Sequence, residues 1–313
     1  MLPERSPFLD PDARPLDGAK FRDPSLTAKG ERRAHVSLQR LDTLWINSGT
    51  LCNLACKTCY IESSPVNDAL VYLTLAEVEH YLDEAEQLGT REIGFTGGEP
   101  FMNRDIIGMI ESALRRGFEV LVLTNAMRPM RRFEAPLLAL VSPKLTMRVS
   151  IDHYRPEIHE AERGKGSWAK AIDGLQWLSR NGFRLAVAGR TLAGESEADA
   201  RSGYDQLFGG LGIRVDAGLV LFPEMDASAD VPEISEACWQ ILGVSPHAMM
   251  CASSRMVVKS KGASAPHVVA CTLLPYDERF ALGPTLSGAA AKVMLNHPHC
   301  ARFCVLGGAS CSG

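Results

Sequence analysis

Between residues 41 and 222 the chain alternates two hydrophobic patterns. Short, nearly continuous apolar runs stand at LDTLWINS (41–48), REIGFT (91–96), FEVLVLTN (118–125), LTMRVSID (145–152), FRLAVAGRT (183–191) and IRVDAGLVLF (213–222). Runs of this length suit strands buried on both faces. Between them, apolar residues recur at helical spacing. The clearest case is 75–88: Leu75, Val78, Leu82, Ala85 and Leu88 share a face, Thr74 and Glu77 read as a capping box, and Gly89 stands at the stop. Ile106, Ile107, Ile110 and Leu114 mark a helix over 104–116. Trp168, Ala171, Ile172, Leu175 and Leu178 mark another over 168–180, ending at Asn181 and Gly182.

Strands alternating with helices build right-handed βαβ units on a parallel sheet. Six units fall short of a closed eight-stranded barrel. The expected fold is therefore α/β, a partial (β/α)6 TIM-like barrel over residues 39–230. Sites in such folds form at the carboxyl ends of the strands. CNLACKTCY (52–60) follows the first strand and TGGEP (96–100) the second; Thr124 and Asn125 end the third, Ser150 and Asp152 the fourth, and Arg190 the fifth.

Beyond about residue 230 the alternation stops. A helix at 233–242, a hairpin from SRMVVKSKG and PHVVACT, a short helix near 286–294 and a cysteine-rich tail read as a small module over 231–313. Residues 1–38, rich in Pro, Asp and Arg, read as a loosely structured N-terminal arm. The 313 residues are 46% hydrophobic and 22% charged with a net charge of −4, an ordinary globular composition with no pull toward nucleic acid or an anionic membrane. No apolar run approaches the ~18 residues of a membrane span. The first residues lack the apolar core of a secretory signal, so a cytoplasmic protein is expected.

The nine cysteines are unevenly placed: three at 52–59 and six from Cys238 onward. An odd count in a reducing compartment argues against disulfides, and two thiolate sites is the economical reading. Around Cys52, Cys56 and Cys59 no fourth Cys or His is at hand to complete a structural zinc site; His80 belongs to the first helix. A redox pair needs only two thiols. An iron–sulfur cubane held by three thiolates keeps one iron open, and only in this reading is the missing ligand useful.

CNLACKTCY has the CxxxCxxC spacing, and the aromatic residue after it, of the radical SAM enzymes, which the chain resembles. TGGEP is similar to that family's glycine-rich motif, and VSID followed by ERGKGSWAKAIDGLQWL resembles the subgroup with SPASM or twitch extensions. The resemblance covers roughly residues 41–311. It implies a [4Fe–4S] cluster on Cys52, Cys56 and Cys59 whose open iron chelates S-adenosylmethionine, reductive cleavage of that cofactor, and a 5′-deoxyadenosyl radical that takes hydrogen from a substrate. It also implies that Gly97, Gly98 and Glu99 border the methionine amino group, that Ser150 and Asp152 contact the ribose hydroxyls, that Arg190 pairs with the methionine carboxylate, and that Tyr60 packs near the adenine. The residues themselves leave other uses open: helix capping for Asp152, a salt bridge for Arg190, core packing for Tyr60, turns for Thr124 and Asn125. His153 stands where the subgroup often has Gly.

The terminal Cys251, Cys271, Cys300, Cys304 and Cys311 resemble a twitch or shortened SPASM module, which implies one auxiliary iron–sulfur cluster of the [4Fe–4S] kind. Cys251, Cys271 and Cys300 come first as ligands, and Cys304 and Cys311 compete for the fourth place. A zinc site drawing on His297 or His299, or buried free thiols, are the alternatives. Cys238, alone in a helical stretch, reads as a small core residue. In related enzymes an auxiliary cluster accompanies peptide or protein modification, so the expected function is radical modification of a peptide, fed by an electron donor such as flavodoxin or ferredoxin. A small-molecule or nucleotide substrate, as in the cyclase that makes the molybdopterin precursor, and a non-catalytic iron–sulfur or zinc scaffold are the competing readings. The catalytic base is not legible, and nothing ranks Asp216, Glu224 or His247.

Overall fold

The computed structural model describes residues 5–192 and 194–308. A short strand, β1 (His35–Val36), precedes the main sheet. Strands β2 (Thr43–Asn47), β3 (Glu92–Thr96), β4 (Glu119–Thr124), β5 (Leu145–Ser150), β6 (Arg184–Thr191) and β7 (Leu219–Pro223) pair in that order, each parallel to the next. The helices between them are α1 (Leu75–Gln87), α2 (Ile106–Arg115), α3 (Arg128–Arg131), α4 (Glu134–Ala139), α5 (Pro156–Arg163), α6 (Ser167–Arg180) and α7 (Glu197–Leu211). Then come α8 (Cys238–Leu242), β8 (Ser254–Val258), β9 (His267–Val269), β10 (Ala281–Gly283) and β11 (Val293–Met294).

The six expected parallel strands are present, and the sheet does not stop with them. Among the described residues it has nine strands in the order β10-β9-β8-β2-β3-β4-β5-β6-β7, with no pairing between the first and the last. Strand β8 lies parallel to β2, with Thr43 opposite Ser254. The hairpin expected as part of a separate module thus continues the barrel sheet. Its partner strand lies some 200 residues upstream, a non-local pairing that no local pattern announces.

Both faces of the sheet are buried, which is why its strands read as unbroken apolar runs. Leu44, Ile46, Val120 and Val122 pack outward against α1, α2 and α6. Trp45, Leu121, Met256 and Val258 belong to a second core with Met250, Leu273 and Phe303 from the terminal region. The capping box forms as expected: Thr74 Oγ1 accepts from Glu77 N–H at 3.3 Å, and Glu77 Oε2 accepts from Thr74 N–H at 2.9 Å.

Four expectations need correction. Residues 5–38 are not loosely structured: Phe21, Arg33, Ala34 and Val36 are buried, and β1 pairs antiparallel with β11. Glu233 organises this arm, its carboxylate accepting from Phe21 N–H at 2.7 Å, Ala28 N–H at 2.6 Å and Arg33 Nη2 at 2.5 Å. The polar composition that suggested disorder is here a buried ion pair. The helix expected near 286–294 is a single tight turn (Gly288–Ala290) followed by β11, and that at 233–242 shrinks to α8. The sixth strand begins only at Leu219, because Asp216 turns back to accept from Leu185 N–H at 2.9 Å.

Glu233→Ala is expected to cost about 3–5 kcal/mol, because it strands a buried guanidinium, and to open residues 5–38 to limited proteolysis. Glu236→Ala, whose 3.9 Å contact with Arg32 lies on the surface, should cost less than about 1 kcal/mol. Urea titrations of the full chain check both; equal midpoints for the two variants would refute the anchoring role.

Candidate functional site

At the carboxyl end of β2 the chain enters the cysteine loop, and that loop is seated on the turn after β3. Gly98 N–H donates to Gly49 O at 2.8 Å and Glu99 N–H to Leu51 O at 3.2 Å. A Cβ on Gly98 would lie 2.3 Å from Leu51 O, and one on Gly97, where φ is +135°, 2.5 Å from Gly49 O. Both glycines are thus required by the approach of two backbones. Farther on, Cys52 N–H donates to Ser64 O at 3.1 Å, closing the loop.

Cys52, Cys56 and Cys59 line one cavity with Gly97, Gly98, Ser150, Asp152 and Arg190. The cavity has a volume of about 180 Å3. Backbone N–H groups already point at two of the sulfurs: Leu54 to Cys52 Sγ at 3.4 Å and Ser63 to Cys59 Sγ at 3.3 Å. Burial pushes the Cys52 thiol up to about 12 and the Cys56 thiol up to about 11. Such thiols become thiolates when a metal replaces their protons. Among the described residues no three Cys, His, Asp or Glu close on a single ion-sized point; the three thiols line one cavity. A soft three-thiolate donor set around a space of this kind fits an iron–sulfur cluster.

A charged cluster stands against the thiol loop. Asp152 is buried between two arginines: Arg163 Nε and Nη2 donate to its two oxygens at 2.7 and 2.9 Å, and Arg190 Nε reaches it at 3.4 Å. Burial alone would push this carboxyl up, but Arg163 and Arg190 hold it well below the usual carboxylate range. Arg190 is fully engaged. Its Nη2 donates to Thr58 O at 3.0 Å, its Nη1 to Tyr60 Oη at 3.3 Å, and its guanidinium lies 4.9 Å from the centre of the Tyr60 ring. Arg163, which also lines the cavity, spends Nε and Nη2 on Asp152 and no hydrogen bond from its Nη1 is made among the described residues.

Glu99 lies behind the cavity wall. Its carboxylate accepts from Asn125 N–H at 2.8 Å, Thr124 Oγ1 at 2.9 Å and Phe101 N–H at 3.2 Å. Burial still pushes it up to about 7. Thr124 and Asn125 thereby fasten the end of β4 to the glycine turn, and both line the cavity. Tyr60 makes edge contacts with Phe222 at 6.3 Å and Phe303 at 5.8 Å.

Of the terminal cysteines, Cys251, Cys271 and Cys300 lie close enough to influence one another: after burial, Cys271 and Cys251 are what push the Cys300 thiol up. Cys304 is half-buried against the same core, and Cys311 lies outside the described residues. The His297 and His299 rings are 4.6 Å apart beside Cys300. Cys238 accepts from Ser235 N–H at 3.4 Å, a local contact within the second core. His247 is exposed, Asp216 holds the start of β6, and Glu224 sits just past β7, where burial pushes it up to about 7 despite Arg190 nearby.

Sequence reasoning passed over Arg163, Trp45, Asn47, Ser63, Thr272 and Leu273, all of which line the cavity. Arg163 stands in the ERGKG stretch already singled out, so a signal for it was present. Thr272 and Leu273 directly follow Cys271, which puts that cysteine next to the cavity.

Residues 46–201 match the radical SAM superfamily. The chain is 32% identical over 138 residues to the antilisterial bacteriocin subtilosin biosynthesis protein AlbA of Bacillus subtilis (44% of this chain, 30% of that protein). It is 30% identical over 152 residues to a GTP 3′,8-cyclase of Tolumonas auensis (47% of this chain, 43% of that protein). The matches therefore span less than half of those relatives. Among solved structures, Streptococcus suis SuiB bound to precursor peptide SuiA shares the fold, with a TM-score of 0.61 at 11% identity over 82% of this chain and 66% of that one.

Gly98→Ala is expected to cost about 1–3 kcal/mol from overpacking and to lower the iron bound after anaerobic reconstitution, because the clash at 2.3 Å is with backbone. Unchanged iron and stability would refute the seating argument. Asp152→Asn is expected to cost about 3–5 kcal/mol by leaving two buried guanidinium groups without their carboxylate. Since the folded Asp152 carboxyl titrates below an unfolded one, its contribution is full above about pH 4 and is lost as pH falls toward the depressed folded value. Stability measured against pH should lose that acid limb in the variant.

Proposed function

Because the chain belongs to the radical SAM superfamily through its domain at residues 46–201, we propose that it cleaves S-adenosylmethionine reductively and uses the product to abstract hydrogen from a peptide or protein. Cys52, Cys56 and Cys59 would hold the [4Fe–4S] cluster, and Cys251, Cys271 and Cys300, with Cys304 or Cys311, an auxiliary cluster. When bound, the first cluster supplies the electron that breaks the carbon–sulfur bond of the sulfonium.

The observation that carries this reading is one cavity in which three thiols, the glycine turn and the guanidinium of Arg163 meet. The protein's part is to position. Gly97 and Gly98, which line the cavity with the thiols, would border the methionine end of the cofactor. Arg163, with Nη1 uncommitted among the described residues, is better placed than Arg190 to accept a carboxylate. Ser150 presents its hydroxyl on the cavity wall, and Asp152 orients both arginines. Tyr60, Phe222, Leu123 and Leu273 give the cavity an apolar side that excludes water from a reactive intermediate. An electron donor such as flavodoxin or ferredoxin would supply the reductant.

The peptide reading draws support from the likeness to AlbA, a bacteriocin biosynthesis protein, and from the shared fold with SuiB. A nucleotide or other small-molecule substrate is the second reading, favoured by the similarity to GTP 3′,8-cyclase.

The test is anaerobic reconstitution followed by S-adenosylmethionine and dithionite. Formation of 5′-deoxyadenosine is expected, and Cys56→Ala should abolish it. Silence from a fully loaded protein would favour a non-catalytic scaffold. Cys271→Ala should lower total iron by about four atoms, one cubane, while some cofactor cleavage survives; unchanged iron would eliminate the auxiliary cluster.

A further inference from the structure

Among the described residues four arginines are buried: Arg33, Arg148, Arg190 and Arg255. Three of them face a carboxylate. Arg33 pairs with Glu233, Arg190 with Asp152, and Glu92 lies near Arg148. Arg255 is 1% exposed, and among the described residues no carboxylate acts on it. Its N–H groups are directed at backbone. Nε donates to Ala289 O at 2.8 Å, Nη1 to Cys251 O at 2.6 Å and Ser254 O at 2.8 Å, and Nη2 to Ala291 O at 3.3 Å. Carbonyl dipoles satisfy the hydrogen bonds of a guanidinium without cancelling its charge, and an arginine does not shed that charge. A buried cation calls for an anion.

The groups beside it are thiols. Arg255 is the second residue of β8, and its Nη1 folds back onto the backbone of Cys251, four residues earlier. β9 runs antiparallel to β8 with Met256 opposite Val269, which brings Cys271, two residues on, back beside the start of β8. Cys251 and Cys271 are the side chains whose charge bears on Arg255, and both also bear on Cys300. The other cation near these thiols is Arg279. It is nearly half exposed, and Asp277 accepts from its Nε at 2.9 Å and its Nη2 at 2.5 Å, so its charge is already met. Arg255 is the unmet charge. Protonated thiols supply nothing to it, whereas thiolates do once a metal replaces their protons. A zinc ion held by two thiolates and two histidines is neutral and would leave Arg255 unmatched. An iron–sulfur cluster on thiolates is anionic.

We propose that Arg255 is the counter-cation of an anionic cluster on Cys251, Cys271 and Cys300, and that it sets the potential of that cluster by favouring the reduced form. The proposal rests on the auxiliary-cluster reading above and adds to it a positioning residue that binds no metal itself. Net charge around a cluster is one of the levers on its potential. A cation stabilises the form that carries one more electron, so removing it makes reduction harder.

The experiment uses the full chain with Cys56→Ala, reconstituted anaerobically, so that the terminal site alone holds a cluster. Iron content and an EPR-monitored redox titration are the readouts. Arg255→Gln keeps N–H donors for the carbonyls and removes the charge; Arg255→Lys keeps the charge and loses the planar fork. With Gln the equilibrium constant for reduction is expected to fall at least tenfold, about 59 mV for one electron. With Lys it should stay within threefold of the parent. Loss of the cluster with Gln but not with Lys would support the same role. A loaded Gln variant with the parent's potential, a Lys variant shifted as far as Gln, or loss of the cluster in both would each overturn the proposal. A parent that binds no iron at the terminal site would overturn the auxiliary-cluster reading and this proposal together; a loaded parent with unshifted variants would overturn this proposal alone.

Discussion

The segment from Gly49 to Leu51 passes so close to Gly97 and Gly98 that no side chain fits between them. That contact joins the first two βα connections into one body. It fixes where Cys52 begins, and through the Cys52–Ser64 closure it fixes the whole thiol loop. Glu99 extends the same body to a third strand by holding Thr124 and Asn125. The turn after β3 is thus less a loop than a keystone between β2 and β4. Its motif residues act on neighbouring backbone before they act on any cofactor.

The cavity so framed has two electrostatic characters. On the α5 and β6 side, Asp152 gathers two guanidinium groups and leaves one edge of Arg163 uncommitted. On the β2 side the neutral side chains of Trp45 and Asn47 line it. Burial makes the difference consequential, since a charge in a low-dielectric space must find a counter-charge whereas a dipole needs only a hydrogen bond. An anionic end of a ligand would be drawn to the two guanidinium groups.

Much of this was legible in the sequence, for physical reasons. Strands buried on both faces announce themselves as apolar runs, and the capping box of α1 is a local hydrogen-bond pattern written in four consecutive residues, so both appeared where expected. The thiols and the glycine turn were legible because their spacing is itself the chemistry. What stayed hidden was non-local. Strand β8 finds β2 across 200 residues, and Glu233 collects donors from residues 21, 28 and 33. Arg190 carried a signal but not its partners: only the folded chain puts Thr58, Tyr60 and Asp152 around it. Trp45 and Asn47 gave no signal, since on an apolar strand they read as core.

The position of β8 bears on how the terminal region serves the site. Because β8 pairs with β2 and not with a sheet of its own, the segment that follows β9 is held against the barrel mouth. Tyr276 Oη donates to Ile61 O at 2.7 Å, tying that segment to the thiol loop, and Thr272 and Leu273 become part of the cavity wall. Phe303, between Cys300 and Cys304 in sequence, touches both Tyr60 and Phe222. Packed side chains of both regions thus join the thiol loop to the stretch that carries Cys300 and Cys304. Through Thr272 and Leu273 the region after β9 thus forms a wall of the cavity as well as part of the second core.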